Sequence, residues 1–255
     1  MLIDTHCHLD FAVFGPDPAP VIARARAQGV DRMVVPAITA NNFERVLELC
    51  RSDSKLHPAL GLHPCFSHVF EHDLARLDAA LRAAKGIVVA VGEIGLDFRP
   101  GQADAQEQER LLDAQLRLAK AHELPVLLHV VKAHDQVLKL LRRHNLPCGG
   151  IVHAFSGSEQ QAHEYAKLGF KLGFGGALTY PRARKLRRLA AELPLEWLLL
   201  ETDAPDMPLD GGPVPNEPAQ LRAVAECLAA LRQTSLSEVA AATSTHACAL
   251  LQLHE

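Results

Sequence analysis

Two histidines one residue apart are the first residues of this chain that could do chemistry. His6 and His8 lie in the segment MLIDTHCHLD, directly behind a short apolar run. If a strand over residues 2–6 continues in the same direction, both imidazoles point to one face, because side chains two apart share a face of a strand. Two such imidazoles could ligate a metal, and two surface histidines near a chain end are the alternative. The pair alone leaves both open.

Ligand-type side chains recur along the chain, each at the end of a short apolar run. They are imidazoles and carboxylates, which ligate Zn²⁺ or Mn²⁺, and the carboxylates also suit Mg²⁺. One such coincidence would be weak evidence, but six at equivalent places are the strongest signal in the sequence. After His6 and His8 they are His63 in GLHP, Glu93 and Asp97 in VGEIGLD, His129 in VLLH, His153 in IVHAFSG, and Glu201 and Asp203 in LLLETDAP.

The number of these residues favours a pair of ions. Four histidines with Glu93 and Asp203 exceed what one tetrahedral catalytic ion needs when it keeps a water position open. Two divalent ions bridged by one carboxylate would use them all, and such a pair can generate a hydroxide and stabilise both oxygens of a displacement. Asp203 could also take a proton from the bridging water. Zn²⁺, Mn²⁺ and Mg²⁺ all remain open as the metal.

The elements between these residues predict how they are positioned. Short β-branched runs alternate with segments of helical apolar spacing, which predicts βαβ units and a parallel sheet. Eight such units without a linker predict one (β/α)₈ TIM-type barrel domain over 1–255, with closing helices at 218–232 and 237–251. In such a barrel the ligand-type residues meet at the C-terminal mouth. The strands are predicted at 2–6, 32–36, 56–63, 87–93, 126–129, 150–153, 170–174 and 197–202.

An open doubly wound sheet is the alternative fold. It would usually carry a glycine-rich phosphate turn after an early strand, and VVPAITANNFERV after the second strand has none. The barrel is therefore the prediction.

Composition limits the partners and the compartment. The 255 residues are 48% hydrophobic and 22% charged, with a net charge of −4, so there is no global cationic field and any nucleic-acid contact must be local. Six scattered cysteines without a Cys-x-x-Cys pair are typical of a reduced protein. No signal-peptide pattern or membrane-spanning run is evident. We expect a cytoplasmic monomer without membrane contact.

With these residues in view, the sequence resembles the TatD-type metal-dependent hydrolases and deoxyribonucleases of the amidohydrolase-like superfamily. The segments that carry the resemblance are IDTHCHLD, ALGLHP, VGEIGLDF, LLH at 127–129, VHAFSG, GFGGALTYPRA, LLLETDAPDMP and PNEP, which cover nearly the whole chain. The resemblance implies a (β/α)₈ barrel and phosphoester hydrolysis, with DNA as the substrate of some members. It also implies that one ion is held by His6, His8 and Asp203, the other by His129 and His153, with Glu93 as the bridge.

Two departures from the family pattern concern phosphate binding. Many members carry Ser-Arg directly after the fifth-strand histidine, whereas valines occupy 130–131 here, and many carry a basic residue before Asn-Glu-Pro, whereas Val-Pro occupies 214–215. Both departures remove positive charge that could clamp a phosphate. Arg182 and the basic residues at 184–185, just after the seventh strand, are candidates to replace it.

Three further residues are candidates for substrate contact. His63 either contacts a substrate phosphate or leaving group, or stabilises its own loop. Asn216 and Glu217 match the family's loop, and the alternative is that they shape the turn before the closing helices. Asp97 could orient a ligand imidazole, but we expect a structural ion pair with Arg99.

The sequence therefore predicts a two-metal hydrolase, with Asp203 and Glu93 as catalytic residues. We expect a phosphodiesterase that cleaves DNA ends or short oligonucleotides. The alternative enzyme hydrolyses a small amide, lactone or phosphoester, which predicts a weak salt dependence of substrate affinity. A metal-binding scaffold without turnover is the alternative from another class.

Overall fold

The computed structural model describes residues 1–253, and its strands form one parallel sheet of eight. The strands are hydrogen-bonded in chain order and each is followed by a helix, which is the TIM-type (β/α)₈ fold that the sequence predicts. The strands are β1 (Leu2–Asp4), β2 (Val30–Pro36), β3 (Leu56–Leu60), β4 (Ala90–Asp97), β5 (Val126–Val131), β6 (Gly150–Val152), β7 (Phe170–Phe174) and β8 (Leu198–Leu200). The helices are α1 (Ala19–Ala27), α2 (Phe43–Arg51), α3 (Phe70–Ala83), α4 (Ala105–Ala121), α5 (His134–His144), α6 (Glu159–Lys167), α7 (Arg184–Glu192), α8 (Leu221–Arg232) and α9 (Leu236–Leu251).

The seam between β1 and β8 closes the ring. The Thr5 N–H donates to Leu200 O at 3.0 Å, and one step farther Cys7 forms a parallel bridge with Ala204. The His8 N–H then donates to Ala204 O at 2.7 Å. This seam places the segment after β1 directly beside the segment after β8.

Two apolar layers hold the barrel together. The smaller contains one residue from each of seven strands, such as Ile3, Val34 and Leu127, and is joined by Leu251 near the end of α9. The larger layer includes Leu112 and Leu116 of α4, which belong to the helical stripe predicted from the sequence. Both closing helices are confirmed, and the end of α9 packs against residues of the strands. Within residues 1–253, no helix is both long and apolar enough to cross a membrane.

The prediction that His6 and His8 share the face of a strand is wrong. β1 ends at Asp4, because the Asp4 carboxylate accepts a hydrogen bond from the His6 N–H at 3.2 Å and the chain leaves the regular ladder. The two imidazoles are instead positioned by the closing seam. Another boundary also differs, since β4 extends to Asp97, so Glu93 lies inside the strand rather than at its end.

Two glycines permit close approaches near the barrel mouth. Gly95 has φ +152°, and a Cβ there would lie 1.9 Å from His129 O, so β4 could not pack against β5 with any other residue. A Cβ on Gly173 would lie 2.1 Å from Glu201 Oε2. Gly173 thus makes room for a buried carboxylate.

Candidate metal centre

The carboxylate of Glu93 lies at the centre of the predicted ligand set. It is 2% exposed, and its two oxygens face different neighbours. Oε1 lies 3.2 Å from His63 Nε2, 3.1 Å from His129 Nδ1 and 3.2 Å from His153 Nε2. We call these three histidines the Oε1 cluster. They come from the ends of β3 and β6 and from the middle of β5, so the barrel brings together residues that are far apart in sequence.

The second oxygen, Glu93 Oε2, faces the closing seam. It lies 3.2 Å from His6 Nε2 and 3.5 Å from His8 Nε2. Asp203 Oδ1 lies 3.7 Å and 3.6 Å from the same two nitrogens. We call His6, His8 and Asp203 the Oε2 cluster. All six residues implied as ligands are therefore brought together, and His63 joins them.

Buried carboxylates contact the outer nitrogens of the Oε1 cluster. His129 Nε2 donates to Asp97 Oδ2 at 2.9 Å, and Arg99 pairs with the same carboxylate at 2.5 Å. Asp97 therefore does both things that the sequence allowed: it orients a histidine and pairs with Arg99. His153 Nδ1 lies 3.4 Å from Glu201 Oε1. A carboxylate on the outer nitrogen leaves the inner nitrogen with its lone pair, the form that ligates metals.

His63 differs from the other histidines in its tautomer. The backbone N–H of Cys65 donates to His63 Nδ1 at 3.1 Å, so this nitrogen accepts and the proton of the neutral ring lies on Nε2. His8 shows the opposite arrangement, because its Nδ1 lies 3.3 Å from Pro36 O and donates to it. Nε2 of His8 thus offers a lone pair, whereas Nε2 of His63 offers a hydrogen to Glu93. The geometry suits His63 as a donor rather than as a ligand.

On the Oε1 side of Glu93, neighbouring charged groups strongly shift one another's pKa values. Burial would raise the pKa of Glu93, but the facing imidazoles, His63 foremost, outweigh it and hold that pKa well below its usual range. Burial would lower the pKa of His129, yet its hydrogen bonds with Asp97, Cys65 and Glu93, which favour the protonated ring, raise it to about 10. Without a metal, protons on the imidazoles balance the buried carboxylates. A divalent cation would take over that role, so the donor set fits metal ions.

On the Oε2 side of Glu93, burial is what sets the direction of the pKa shifts. Burial, and next the neighbouring His6, lower the pKa of His8 to about 3, so His8 is neutral. Burial raises the pKa of Asp203 to about 6, although His153 and His6 oppose the rise. The Asp203 side chain is 16% exposed, against 2% for Glu93, so it is the carboxylate of this centre that water reaches most readily. Asp203 also has a left-handed backbone at φ 55°, which aspartate tolerates better than most residues.

A third group of ligand types lies beside the centre but contains a resident cation. His63, Cys65 and His129 bring potential ligand atoms within 4.8 Å of one another. The Arg99 guanidinium lies 4.0 Å from Cys65 Sγ and is paired with Asp97. A metal there would be repelled by Arg99, so the two clusters around Glu93 are the better sites.

One supporting residue, Asp4, was missed from the sequence. Asp4 is fully buried and accepts from the His6 N–H, from the Thr202 N–H at 3.0 Å and from the Thr202 hydroxyl at 2.5 Å. It therefore ties the segment that bears His6 to the segment that bears Asp203. Glu201, one of the ligand-type residues found in the sequence, has a structural contact, since its Oε1 accepts from the Ala154 N–H. An aspartate inside an apolar strand is the one sequence signal that could have identified Asp4.

The residues predicted to contact substrate differ in whether their side chains already have partners within the protein. Asn216 is 1% exposed, and its amide donates to Thr202 O and Asp206 O, each at 2.9 Å. Glu217 forms a two-pronged ion pair with Arg24 at 2.8 Å. The structure thus favours the alternative for both, that they shape the turn before the closing helices. Arg182, by contrast, is exposed and lines a cavity beside the ligand strands.

Comparison with known proteins gives a consistent result. Residues 3–252 match the family described as TatD related DNase. The chain is 48% identical to the uncharacterized metal-dependent hydrolase YjjV of Escherichia coli over 242 residues, covering 94% of this chain and 93% of that protein. It is 35% identical to the 3'-5' ssDNA/RNA exonuclease TatD of Salmonella typhimurium, covering 99% of each.

Solved structures agree with the sequence comparison. The crystal structure of YjjV from Escherichia coli superposes with a TM-score of 0.94 at 47% identity, covering 98% of this chain and 97% of that one. A D-hydantoinase shares the fold alone, with a TM-score of 0.67 at 12% identity and coverage of 96% and 69%. The recognition made from the motifs is confirmed. The chain belongs to the TatD related DNase family of metal-dependent hydrolases.

Proposed function

We propose that this protein is a two-metal phosphodiesterase that cleaves DNA ends or short oligonucleotides. The observation that carries the proposal is that the two oxygens of Glu93 face two separate clusters. His6, His8 and Asp203 would hold one divalent ion, Zn²⁺, Mn²⁺ or Mg²⁺, and His129 and His153 the other, with Glu93 between them. When bound, such a pair lowers the pKa of water and neutralises charge that develops on the attacking and leaving oxygens.

Asp203 is the residue that handles the proton in this proposal. It is more exposed than Glu93, so water reaches it more readily, and a carboxylate within reach of the attacking water can act as a general base. Its Oδ1 lies 3.7 Å from His6 Nε2 and 3.6 Å from His8 Nε2. Asp203 accepts the proton of the attacking water and returns it to solvent through its exposed edge.

His63 is the residue that positions the substrate. Its Nε2–H points into the centre because the Cys65 N–H occupies Nδ1. In the bound complex this N–H donates to a non-bridging oxygen or to the leaving oxygen of the scissile phosphate. A fixed donor at such an oxygen stabilises the transition state more than the ground state. Arg182 supplies positive charge in place of the arginine missing after His129.

A second candidate function has an observation of its own. A cavity of about 620 Å³ lies at the other side of the mouth, lined by residues such as Phe11, Val13 and Val214. Val13 and Val214 are 54% and 81% exposed. This apolar wall favours a small amide, lactone or phosphoester with an apolar group.

One screen distinguishes the two functions. The protein is stripped of metal, reloaded with Mg²⁺, Mn²⁺ or Zn²⁺, and offered single-stranded DNA, duplex DNA and a panel of amides and lactones. Cleavage of DNA that disappears in Asp203→Asn and persists in the surface control Glu192→Gln supports the phosphodiesterase. Turnover of the small-molecule panel alone supports the second function. Metal binding without turnover of any ester or amide would contradict both.

A further inference from the structure

A cavity of about 320 Å³ lies next to the metal centre, between the loops after β6, β7 and β8. Ala154, the neighbour of His153, lines it together with Gly173 and Met207. The rest of its wall is largely apolar, with side chains such as Phe155 and Phe174, and three cations lie on a short stretch of it, Arg182, Arg184 and Lys185. The cavity is therefore continuous with the ligand-bearing strands, and its rim is strongly positive in a protein whose net charge is −4.

These three cations lack the acidic partners that many, though not all, of the other arginines have; Arg187 and Arg232, for example, donate to backbone carbonyls. Over residues 1–253, none of the three forms an ion pair with a carboxylate. Arg182 lies over the Tyr180 ring at 5.2 Å, and Lys185 Nζ donates to the carbonyl of Ser156 at 2.7 Å. Arg188, one turn along α7 from Arg184, instead pairs with Glu159 at 3.1 Å and Glu192 at 2.8 Å.

Two of these cations also lie at an end of a helix where positive charge is unfavourable. Arg184 and Lys185 occupy the first turn of α7, which has no acidic residue and no side-chain cap. Cations are unfavourable at this end of a helix, because the N-terminus already carries partial positive charge. Unpaired cations around a concave surface are the arrangement that binds phosphate oxygens.

We infer that this cavity binds a phosphate other than the scissile one, so that the preferred substrate has at least two consecutive phosphates. The inference rests on the proposed function, since it assigns the scissile phosphate to the centre around Glu93. The flanking phosphate accepts hydrogen bonds from the guanidinium groups of Arg182 and Arg184 and is attracted by Lys185. The same contacts make affinity salt-dependent, because bound cations are released from the substrate.

The test is calorimetric binding to the metal-loaded protein of thymidine 5′-phosphate, thymidine 3′-phosphate and thymidine 3′,5′-bisphosphate. We expect the bisphosphate to bind roughly tenfold more tightly than the better monophosphate, the scale of one charge-assisted contact. That gain should vanish in R182A/R184A, persist in the matched control Arg188→Ala and shrink with added salt. Unchanged melting temperatures show that the variants remain folded.

Three results would overturn the inference: no gain from the second phosphate, a gain that survives in R182A/R184A, or an equal loss in Arg188→Ala. The proposed function is tested separately with thymidine 5′-(4-nitrophenyl phosphate), which has no flanking phosphate. Absence of its hydrolysis together with an intact gain would reject the function and keep the subsite. Hydrolysis without the gain would reject the subsite and keep the function.

Discussion

The Oε1 cluster and the Oε2 cluster face the same carboxylate but are held in place differently. In the Oε1 cluster, buried carboxylates stand behind the histidines: Asp97 accepts from His129, and Glu201 lies beside His153. Hydrogen bonds from His129 and Arg99 outweigh the effect of burial and hold the pKa of Asp97 far below its usual range, so it stays charged. Anionic partners fix ring orientation and raise the basicity of a ligand imidazole.

The Oε2 cluster has weaker support behind its rings. His8 Nδ1 donates to the carbonyl of Pro36 rather than to a carboxylate, and over residues 1–253 His6 Nδ1 has no hydrogen-bond partner. His153 Nδ1 also makes no hydrogen bond there, but Glu201 Oε1 lies 3.4 Å from it, whereas no carboxylate is paired with His6 Nδ1. Asp203 is partly exposed. For the proposed two-metal function, the comparison suggests separate tasks: the Oε1 cluster would retain a cation tightly, and the Oε2 cluster would exchange with water and take part in the reaction.

The largest effect is expected from a substitution that disrupts both clusters at once. Glu93→Ala removes the carboxylate that the clusters share, so both ions are lost and activity falls by at least about 10²–10³-fold, the scale of losing one main electrostatic contact. Metal analysis and kcat on the same preparation measure this. Glu192→Ala, which removes an exposed carboxylate, is the control. Retention of either ion in Glu93→Ala would contradict the shared-carboxylate arrangement.

A second change should affect only one half. Asp97→Asn removes the charge behind His129, and we expect the affinity of the Oε1 cluster for metal to fall by about 10–100-fold. The Oε2 cluster should keep its affinity. Competition with a chromophoric chelator resolves the two steps. Arg99→Ala should act in the same direction but more weakly, because Arg99 contacts the ring only through Asp97. Equal weakening of both steps would mean that the halves are not held independently.

His63 tests whether every histidine of the Oε1 cluster is a ligand. Glutamine can supply an N–H donor but cannot replace an imidazole as a metal ligand. His63→Gln should therefore retain both ions and lose about tenfold in kcat/KM, the scale of one imperfect hydrogen bond. His129→Gln, the matched variant in the same cluster, should lose an ion. If His63→Gln also loses an ion, the tautomer argument fails.

The smallest effect is expected at His134, which lies outside both clusters. It separates acid unfolding from loss of metal. Burial lowers the pKa of His134 from 6.5 to about 4, so it is neutral in the folded protein and the unfolded chain takes up the proton first. Stability is then lost as pH falls from about 6.5 to about 4, by roughly 1–3 kcal/mol. His134→Gln should flatten the difference between melting curves at pH 7 and pH 5. An identical pH slope would show that His134 is not the cause.

The sequence was informative where a pattern is local. The alternation of strands and helices predicted the barrel, and the residue at the end of each apolar run predicted which side chains meet at its mouth. The prediction for His6 and His8 was right in placing them together but wrong in its reason. Their position depends on Asp4 and on the seam with the segment after β8, contacts that span almost the whole chain.

What could only partly be predicted is which group contacts the outer nitrogen of each histidine. Asp97 was a candidate to orient an imidazole, but the sequence did not say that the imidazole is that of His129, and the backbone N–H that faces His63 does not follow from spacing. Asn216 and Glu217 are weaker substrate candidates than motif similarity indicates, because both side chains already have partners within the protein. Distinguishing a ligand from a donor required the atoms around each ring.

The central claim is that the Glu93 carboxylate is shared by two cations, one in each cluster. Anomalous diffraction from crystals loaded with Mn²⁺ tests it most directly. The account predicts two peaks on opposite sides of Glu93, one among His6, His8 and Asp203 and one between His129 and His153, with His63 outside both coordination spheres. A single peak, or a peak bound by His63 and Cys65, would contradict it.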